Sequence, residues 1–567
     1  MEMGTSDKLP AEAGAASTVH KDCMHIVSWN VAGWKKTVEQ IRKFPGGIPA
    51  FLERHHIDVI CLQETKLTAK TITDEAKVLG ANIPGYESFW ACNEGAGVQR
   101  QGLNGVATIG RRGLVLRADS APLGDPELDG EGRCLMTDLG DFVLFNVYVP
   151  NSAEGTRLPF KLRWLRALRA AMQRARSGPQ GRPVVLAGDL NMKHRAMDCF
   201  WSGRSVSLTA LSQLANSAPD PEIERAAATL CAEWPAIRKA LCHGRENRQF
   251  ETKNSRTGVT FQRWGVFVQN KQGDQVRLGE PFTFESCAVT SYIPDGIGCE
   301  EDGTLVLGLG SQDAANTFTR PSTMALCDLV ECLKKIAGVE IGQRVLKSIS
   351  ESIGGSMSAP PVREWLQSVL QEDGMVDSFA ELYPAAEERF TCWDQYRNRR
   401  YQNVGSRIDY ILVDQRLLER VQRGLDLDVG NSQFGPNDAA ASLAAATLGG
   451  LSKPSPFEGG GMQTLEEDEY FAQFRGGPAT GMVYTPPQLS DHVGVSLCLR
   501  TTAAESQRPG GGHVPRSGGR SPVRDASTRR CQPHRAGKRI TDFFGKKRAA
   551  EVEPIGGLDK RKALGAA

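Results

Sequence analysis

The chain contains no apolar run approaching the roughly 18 uninterrupted residues of a membrane-spanning helix. Its first twenty residues combine neither a basic start with an apolar core nor an Arg-rich amphipathic pattern, so secretion is not expected. It also has no C-x-x-C pair; its fourteen cysteines are scattered, several inside apolar runs (Cys61, Cys327, Cys332). This excludes a thiol-based zinc module or a disulfide framework and points to reduced packing residues. Overall charge imbalance is missing too, at +2 for 567 residues, but the total conceals a split. Residues 501–567 hold fifteen Lys and Arg against six Asp and Glu, which leaves the remainder modestly acidic. A basic tail suits phosphate neutralisation or simply solvated disorder.

What is present is enough apolar sequence for one large or two ordinary domains. Residues 1–21 are expected to be disordered. From 22 to about 200, short apolar runs alternate with polar turns, predicting core strands at His25–Trp29, Asp58–Leu62, Gly105–Ile109, Phe142–Val149 and Pro183–Ala187. Leu162, Leu165, Leu168 and Met172 recur at helical spacing within Pro159–Arg176, predicting a helix packed on a sheet with its basic side outward. Residues 202–360 break this rhythm and read as an insertion with helices at Pro221–Ala240 and Cys327–Ile353 and a β-like patch at Gly258–Val268. Strand grammar returns at Met375–Leu382, Arg407–Val413 and Val493–Leu499. Between them, 424–487 is dominated by Gly, Ser, Pro and Ala and reads as a long loop. The catalytic core is expected to span 22–500, followed by a disordered tail over 501–567.

Five polar blocks sit where these apolar runs begin or end: Ser28-Trp29-Asn30, Leu62 to Lys66, Gly188 to Asn191, Arg407 to Tyr410 and Ser490-Asp491-His492. Each carries a side chain able to hold a hard cation, activate water or steady a phosphate, the three tasks of phosphodiester hydrolysis. Glu64 leaves a strand end as a metal ligand would, or as any surface glutamate does. Asn30 offers a neutral amide beside it. Asp189 and Asn191, two apart, are expected on one side of an extended chain, as a base with a water-orienting amide or as an ordinary Asx turn. His492 suits stabilisation of a charged phosphoryl oxygen, with Asp409 orienting its other ring nitrogen, although a lone core histidine is commoner. Only the joint occurrence of the five argues for one metal-assisted phosphodiesterase site.

The runs SWNVAGW, DVICLQETK, NGVAT, EGR (131–133), NVYVPN (146–151), VLAGDLN, GMVDSF, FTCW, NVGSRIDY and LSDHVGV resemble the exonuclease III type of class II AP endonuclease, over about 300 residues. FTCW and GSRIDY are most similar to the second eukaryotic branch, whose members chiefly trim 3' ends. The resemblance implies an α/β fold, a four-layered sandwich of two packed β-sheets flanked by helices (DNase-I-like). It implies Mg2+, with Mn2+ as the alternative, held by Glu64 with Asn30 and Asp491, and with Asp189, Asn191 and His492 completing the candidate donor set. Asp189 would activate the water and Asn191 orient it. Tyr148, Asn151 and Arg133 would contact the phosphate or the DNA, and His492 paired with Asp409 would stabilise the transition state. The implied substrate is duplex DNA with abasic sites or damaged 3' ends, attacked by a monomer without a membrane.

Three departures shape that expectation. Ala32 stands where the family's main endonuclease has an acidic residue, and Cys392 and Ser406 stand where its abasic pocket has phenylalanine and tryptophan, which favours end trimming over strict abasic recognition. The insertions at 202–360 and 424–487 have no recognised counterpart. In the tail, 537–544 resembles a clamp-binding box, in which Ile540, Phe543 and Phe544 would enter a pocket of the sliding clamp (PCNA), although Gly537 replaces the preferred glutamine. Lys546-Lys547-Arg548 and Lys560-Arg561-Lys562 suit nuclear import. Two other functions use the same residues: a phosphoesterase of the same superfamily acting on inositol phosphate, lipid or RNA, and a catalytically weak clamp-associated scaffold.

Overall fold

The structure, a computed structural model, describes residues 23–501 apart from 44–45, 95–101, 153–156, 178–180, 244–245, 254–257, 283–293, 300–303, 310–319, 357, 359, 385, 396–398, 423–479, 484 and 486–488. Two six-stranded sheets face each other. One runs Gly481–Val483, Gly494–Arg500, Cys23–Asn30, Val59–Gln63, Val106–Arg111, Tyr86–Ala91, and the other Met375–Asp377, Asp409–Asp414, Val184–Asp189, Val143–Tyr148, Cys134–Asp138, Arg117–Asp119.

Strand alternation divides the central strands between apolar layers. Met24 and Ile26 of the first sheet enter a layer shared with Val185, Ala187, Ile411 and Val413 of the second. Their neighbours Val27 and Trp29 turn the other way, onto Trp34, Val38 and Leu52 of helices Trp34–Ile41 and Gly47–Arg54. Val184 and Leu186 likewise meet Trp164 and Leu168 of helix Leu158–Ser177 and Trp365 and Val369 of helix Pro360–Gln371. The result is the expected four layers, with the central strands buried on both faces and therefore apolar almost throughout. Each such side chain contributes roughly 1.5–3 kcal/mol by leaving water.

This topology also gathers the polar blocks. Each sheet has one parallel pair, Cys23–Asn30 with Val59–Gln63 and Val143–Tyr148 with Val184–Asp189. A parallel pair needs a crossover, supplied here by the helices described above, so both strands of a pair finish at the same edge. Antiparallel partners start where these finish: Asp409 lies opposite Asp189, and Val495 opposite Ser28. Strand ends far apart in sequence therefore share one rim.

Residues 205–355 carry their own apolar cluster, built on Leu230, Trp234 and Ile237 of helix Pro221–His243, Leu329 and Leu333, and Val345 and Ile349 of helix Gln343–Ile353. Chain entering at Ser205 and leaving at Gly355 is paired by reciprocal backbone hydrogen bonds of 3.0 Å.

Three expectations need correction. Met375–Leu382 is a strand only to Asp377, where the Asp377 carboxylate accepts from Ala380 N and caps helix Ser378–Leu382. The stretch 424–487 is not all loop, since Gly481–Val483 pairs with the last strand. Helix Leu158–Ser177 does not hold its whole basic side outward, because Lys161 is only 1% exposed. Residues 1–21, most of 424–487 and the tail with Ile540, Phe543 and Phe544 lie outside the described residues.

Candidate active site

The rim is sewn together by short polar contacts. Asn30 Nδ2 donates to Glu64 Oε1 and to Asp189 Oδ2, both at 3.0 Å, so one neutral amide ties two carboxylates from different sheets. Ser490 Oγ donates to the Asn30 carbonyl at 2.7 Å and accepts from His492 N at 3.1 Å, joining the last block to the first. Beneath them Gln63 Nε2 donates to Ser28 Oγ at 3.0 Å and to Asn146 Oδ1 at 2.8 Å, a buried polar clip between the two sheets. Four of the eight non-glycine residues with positive φ among the described residues, Ala32, Glu64, Lys66 and Asn191, lie here. Left-handed backbone costs roughly 1–2 kcal/mol in such residues and collects at functional sites.

Asp189 is the centre. Its Oδ1 accepts from Asn191 N at 2.8 Å, and Asn191 Nδ2 reaches Asp189 Oδ2 at 3.4 Å and the Val149 carbonyl at 2.9 Å. The reason these two side chains meet is an Asx turn with Asn191 at φ 48°, not extended alternation. Burial, then the Asp409 charge across the strand pair, push the Asp189 carboxyl up to about 7. Gly188, at φ 147°, sits so close to Val147 that any Cβ would fall 1.9 Å from its carbonyl oxygen, which requires glycine there.

Asp409 Oδ2 lies 2.8 Å from His492 Nδ1, both buried. Burial alone would discharge this imidazole, but the carboxylate outweighs it and holds His492 well above the usual histidine range. The Thr391 hydroxyl accepts from Ile408 N at 3.0 Å and Asp409 N at 3.1 Å, setting the carboxylate's height.

The remaining expected residues divide. Tyr148 donates to Glu64, and its hydroxyl is pushed up by burial and by the Glu64 and Asp189 charges. Arg133 is buried and points at protein: it bonds Glu131 at 2.5 Å and Asn104 Oδ1 at 2.9 Å, and its guanidinium lies 4.7 Å from the Tyr148 ring centre. It positions Tyr148. Asn151, Asn191, Cys392 and Ser406 line a cavity of about 1250 Å3, to whose lining Leu326, Val330 and Leu346 of the 205–355 unit also contribute. Asp491 groups with Cys392 and His492, their ligand atoms within 4.8 Å of one another. Arg407, inside one of the five blocks, faces away and forms buried two-pronged pairs with Asp198 and Asp377.

One contributor was missed. Lys161 Nζ donates to the Asn191 carbonyl at 2.6 Å, and burial lowers it to about 8, partly offset by the Asp189 charge. The expectation of a helix with its basic side outward gave no sign of this.

The donor set fits a hard divalent cation. Glu64 and Asp189 offer oxygen, the ligand chemistry of Mg2+ and Mn2+, the Asn30 Oδ1 accepts from Ala32 N at 3.0 Å, and Asp409 Oδ1 is buried with no hydrogen-bond partner. Asp189, Asp409 and His492 also bring ligand atoms within 4.8 Å of one another.

These features define a two-sheet α/β domain with an acidic, histidine-containing rim, and residues 27–264 match the model of the Endonuclease/Exonuclease/phosphatase family. The chain's similar relatives include DNA repair nuclease APEX1 of Danio rerio, 32% identical over 34% of this chain and 55% of the relative, and DNA-(apurinic or apyrimidinic site) endonuclease 2 of Bos taurus, 29% identical over 31% and 40%. Recombination repair protein 1 of Drosophila melanogaster is 29% identical over 35% of this chain and 26% of its own length. The chain thus spans about half or less of the relatives it matches. Among solved structures, the AP endonuclease LMAP of Leishmania major aligns with TM-score 0.41 and 18% identity over 85% of this chain and 89% of its own. The catalytic domain of Xenopus laevis APE2 aligns with TM-score 0.39 and 18% identity over 85% and 94%. The family match ends before Asp409 and His492, which the strand register brings back to the rim.

Proposed function

We propose that this chain is a metal-dependent DNA repair phosphodiesterase that cuts 5' to abasic sites and processes 3' ends, with Mg2+ or Mn2+ as its ion. The observation that carries this reading is Asp189, held between the Asn30–Glu64 pair on one side and the Asp409–His492 pair on the other. Glu64 and Asp189 would hold the ion, whose chemistry is to neutralise charge on the phosphate and the leaving 3'-oxygen. Asp189, its affinity for a proton raised by burial, accepts the proton of the attacking water. Asn191 orients that water or a phosphate oxygen, and Tyr148 donates to the phosphate once substrate replaces its Glu64 contact. His492, kept protonated by Asp409, donates to the phosphoryl oxygen as its charge grows.

The substrate part of the proposal rests on the cavity beside Asn151, Asn191, Cys392 and Ser406. At about 1250 Å3 it exceeds the roughly 300–1,000 Å3 of a small-ligand pocket, which suits displaced terminal nucleotides better than one abasic sugar. Clamp binding through Ile540, Phe543 and Phe544, nuclear residence and a monomeric state belong to the same reading. Purified chain is offered a duplex with an internal abasic analogue and a duplex with a recessed or blocked 3' end, with and without Mg2+, alongside Asp189→Ala. Metal-dependent cleavage lost in the variant supports the proposal. No cleavage of either, equal cleavage by the variant, or faster turnover of an inositol phosphate, lipid or RNA overturns it.

A further inference from the structure

Cys392 and His492 face each other across an antiparallel bridge. The flanking backbone locks them there, with Val493 N donating to the Thr391 carbonyl at 2.8 Å and Trp393 N to the Asp491 carbonyl at 3.1 Å. Opposed residues in such a bridge project to the same face, and the Cys392 thiol hydrogen-bonds the His492 ring. Because Nδ1 is taken by Asp409 at 2.8 Å, the thiol side of the ring is Nε2. The Asp491 carboxylate completes a group of three ligand atoms within 4.8 Å of one another.

This is a sulfur, nitrogen and oxygen set on one rigid corner, unlike the all-oxygen set around Asn30. Tetrahedral Zn2+ takes such ligands at about 2.0–2.3 Å and keeps a fourth position for water. The Asp409–His492–metal order is the carboxylate–histidine arrangement that orients imidazole ligands in zinc sites. Cys392 lines the large cavity, so an ion can reach it.

We infer that Cys392 joins Asp491 and His492, two donors of the expected Mg2+ set, in a thiophilic metal site that takes Zn2+ or Co2+, and that filling it arrests the hydrolysis proposed above. Binding replaces the Cys392 S–H bond with an S–Zn bond and displaces the proton from His492 Nε2, so two protons pass to solvent. His492 then has no proton to give the phosphoryl oxygen. The arrest rests on the proposed reaction; the site itself does not.

The test uses the full chain and two readouts. Without Mg2+, titration with Co2+ is expected to raise a near-ultraviolet thiolate-to-cobalt charge-transfer band that saturates at one equivalent and is bleached by Zn2+. The band is absent from Cys392→Ser and from Cys392→Phe, whose thermal midpoints report that they are folded. With Mg2+ held constant on the 3'-end duplex, the Zn2+ concentration for half inhibition, taken relative to each protein's own zinc-free rate, rises by ~10–100-fold in Cys392→Ser. No cobalt band, or a band that survives in both folded Cys392 variants, overturns the site. Equal zinc sensitivity of wild type and Cys392→Ser overturns the arrest, since zinc would then act at the oxygen donors. A chain with the cobalt band but no nuclease activity sinks the proposed function and leaves the site standing.

Discussion

The Asp409 carboxylate holds the His492 imidazole at 2.8 Å inside the protein, and that one contact determines the ring's charge. Burial opposes the imidazolium, and the carboxylate wins. Asp409→Asn removes the charge and keeps the shape. Its kcat is expected to fall about 10²-fold or more, with KM changing less, as for loss of a proton donor. The alkaline limb of the pH–rate profile should move toward lower pH, because His492 then deprotonates earlier. Stability follows the same sign: the pair contributes fully below the ordinary histidine value of 6.5, and the contribution is lost as pH rises through the raised folded value. An unmoved alkaline limb in the variant would show that the contact does not set the ring's charge.

Asp189 has the same sign over a lower pH window. Its folded carboxyl titrates at about 7 against an ordinary 3.8, so the folded protein binds an extra proton and loses stability as pH rises between these values. Asp189→Asn is therefore expected to melt higher than wild type at pH 8 in chelator and to match it near pH 4. Its activity should fall by about 10²–10⁴-fold, the usual worth of a positioned base. Added Mg2+ should raise the wild-type midpoint at pH 8 more than that of the variant, since the ion binds only the folded donor set. Scanning calorimetry with and without chelator decides it, and a wild type that outlasts the variant in chelator at pH 8 contradicts it.

Much of this architecture could be read from the chain. The core strands of both sheets are apolar runs because both faces are buried, and the polar blocks end them because the rim is where each strand leaves the core. Asp189 and Asn191 are expected to meet by extended alternation, with an Asx turn as the other reading, and it is the Asx turn that brings them together. Other features depend on contacts that no local pattern encodes. Arg407 reads as part of a polar block, yet its partners are 209 and 30 residues away. Lys161 belongs to a helix whose Arg169 and Arg176 reach Asp373 and Asp414, and only the fold places its ammonium against the Asn191 carbonyl. The Cys392–His492 bridge joins residues a hundred positions apart, and the 205–355 unit has a core of its own that the strand rhythm around it does not foretell.

Lys161 supports the turn from beneath, by 2.6 Å to the Asn191 carbonyl, and places a positive charge near Asp189. It is a positioning residue. Lys161→Met is expected to lower kcat about 10-fold or more through misplacement of Asn191. The acid limb of the profile should also move to higher pH, because Asp189 loses a nearby cation that favours its ionised form. Lys161→Arg keeps the charge and should restore the acid limb while recovering only part of the rate, since the guanidinium must fit a space built for a primary ammonium. A rate loss with no movement of the limb in either variant would reduce Lys161 to packing.

Arg407 carries the last prediction, and it concerns stability. Its guanidinium donates to Asp198 at 2.9 and 3.1 Å and to Asp377 at 3.1 and 2.7 Å, joining the turn ahead of the 205–355 unit to the edge strand of the second sheet. Burial disfavours charge on Asp198, but Arg407 outweighs it and holds the carboxyl below its usual value. Arg407→Met takes the shared guanidinium from two buried carboxylates and leaves Asp198 only Arg195 at 3.4 Å among the described residues, expected to cost about 3–5 kcal/mol. That depressed Asp198 value means the ion pair stabilises above the ordinary carboxylate value of 3.8 and is lost as pH falls through the folded one. The gap in unfolding free energy between wild type and Arg407→Met should therefore hold from pH 7 down to about 4 and narrow as pH falls below 3.8, through the folded Asp198 value. Adding Asp198→Asn and Asp377→Asn to Arg407→Met should recover part of the loss at pH 7, because the uncompensated charge is gone. Denaturant melts across that range measure both effects. A gap that stays constant with pH would mean that the lost packing of the guanidinium, rather than its charge, is what the core requires.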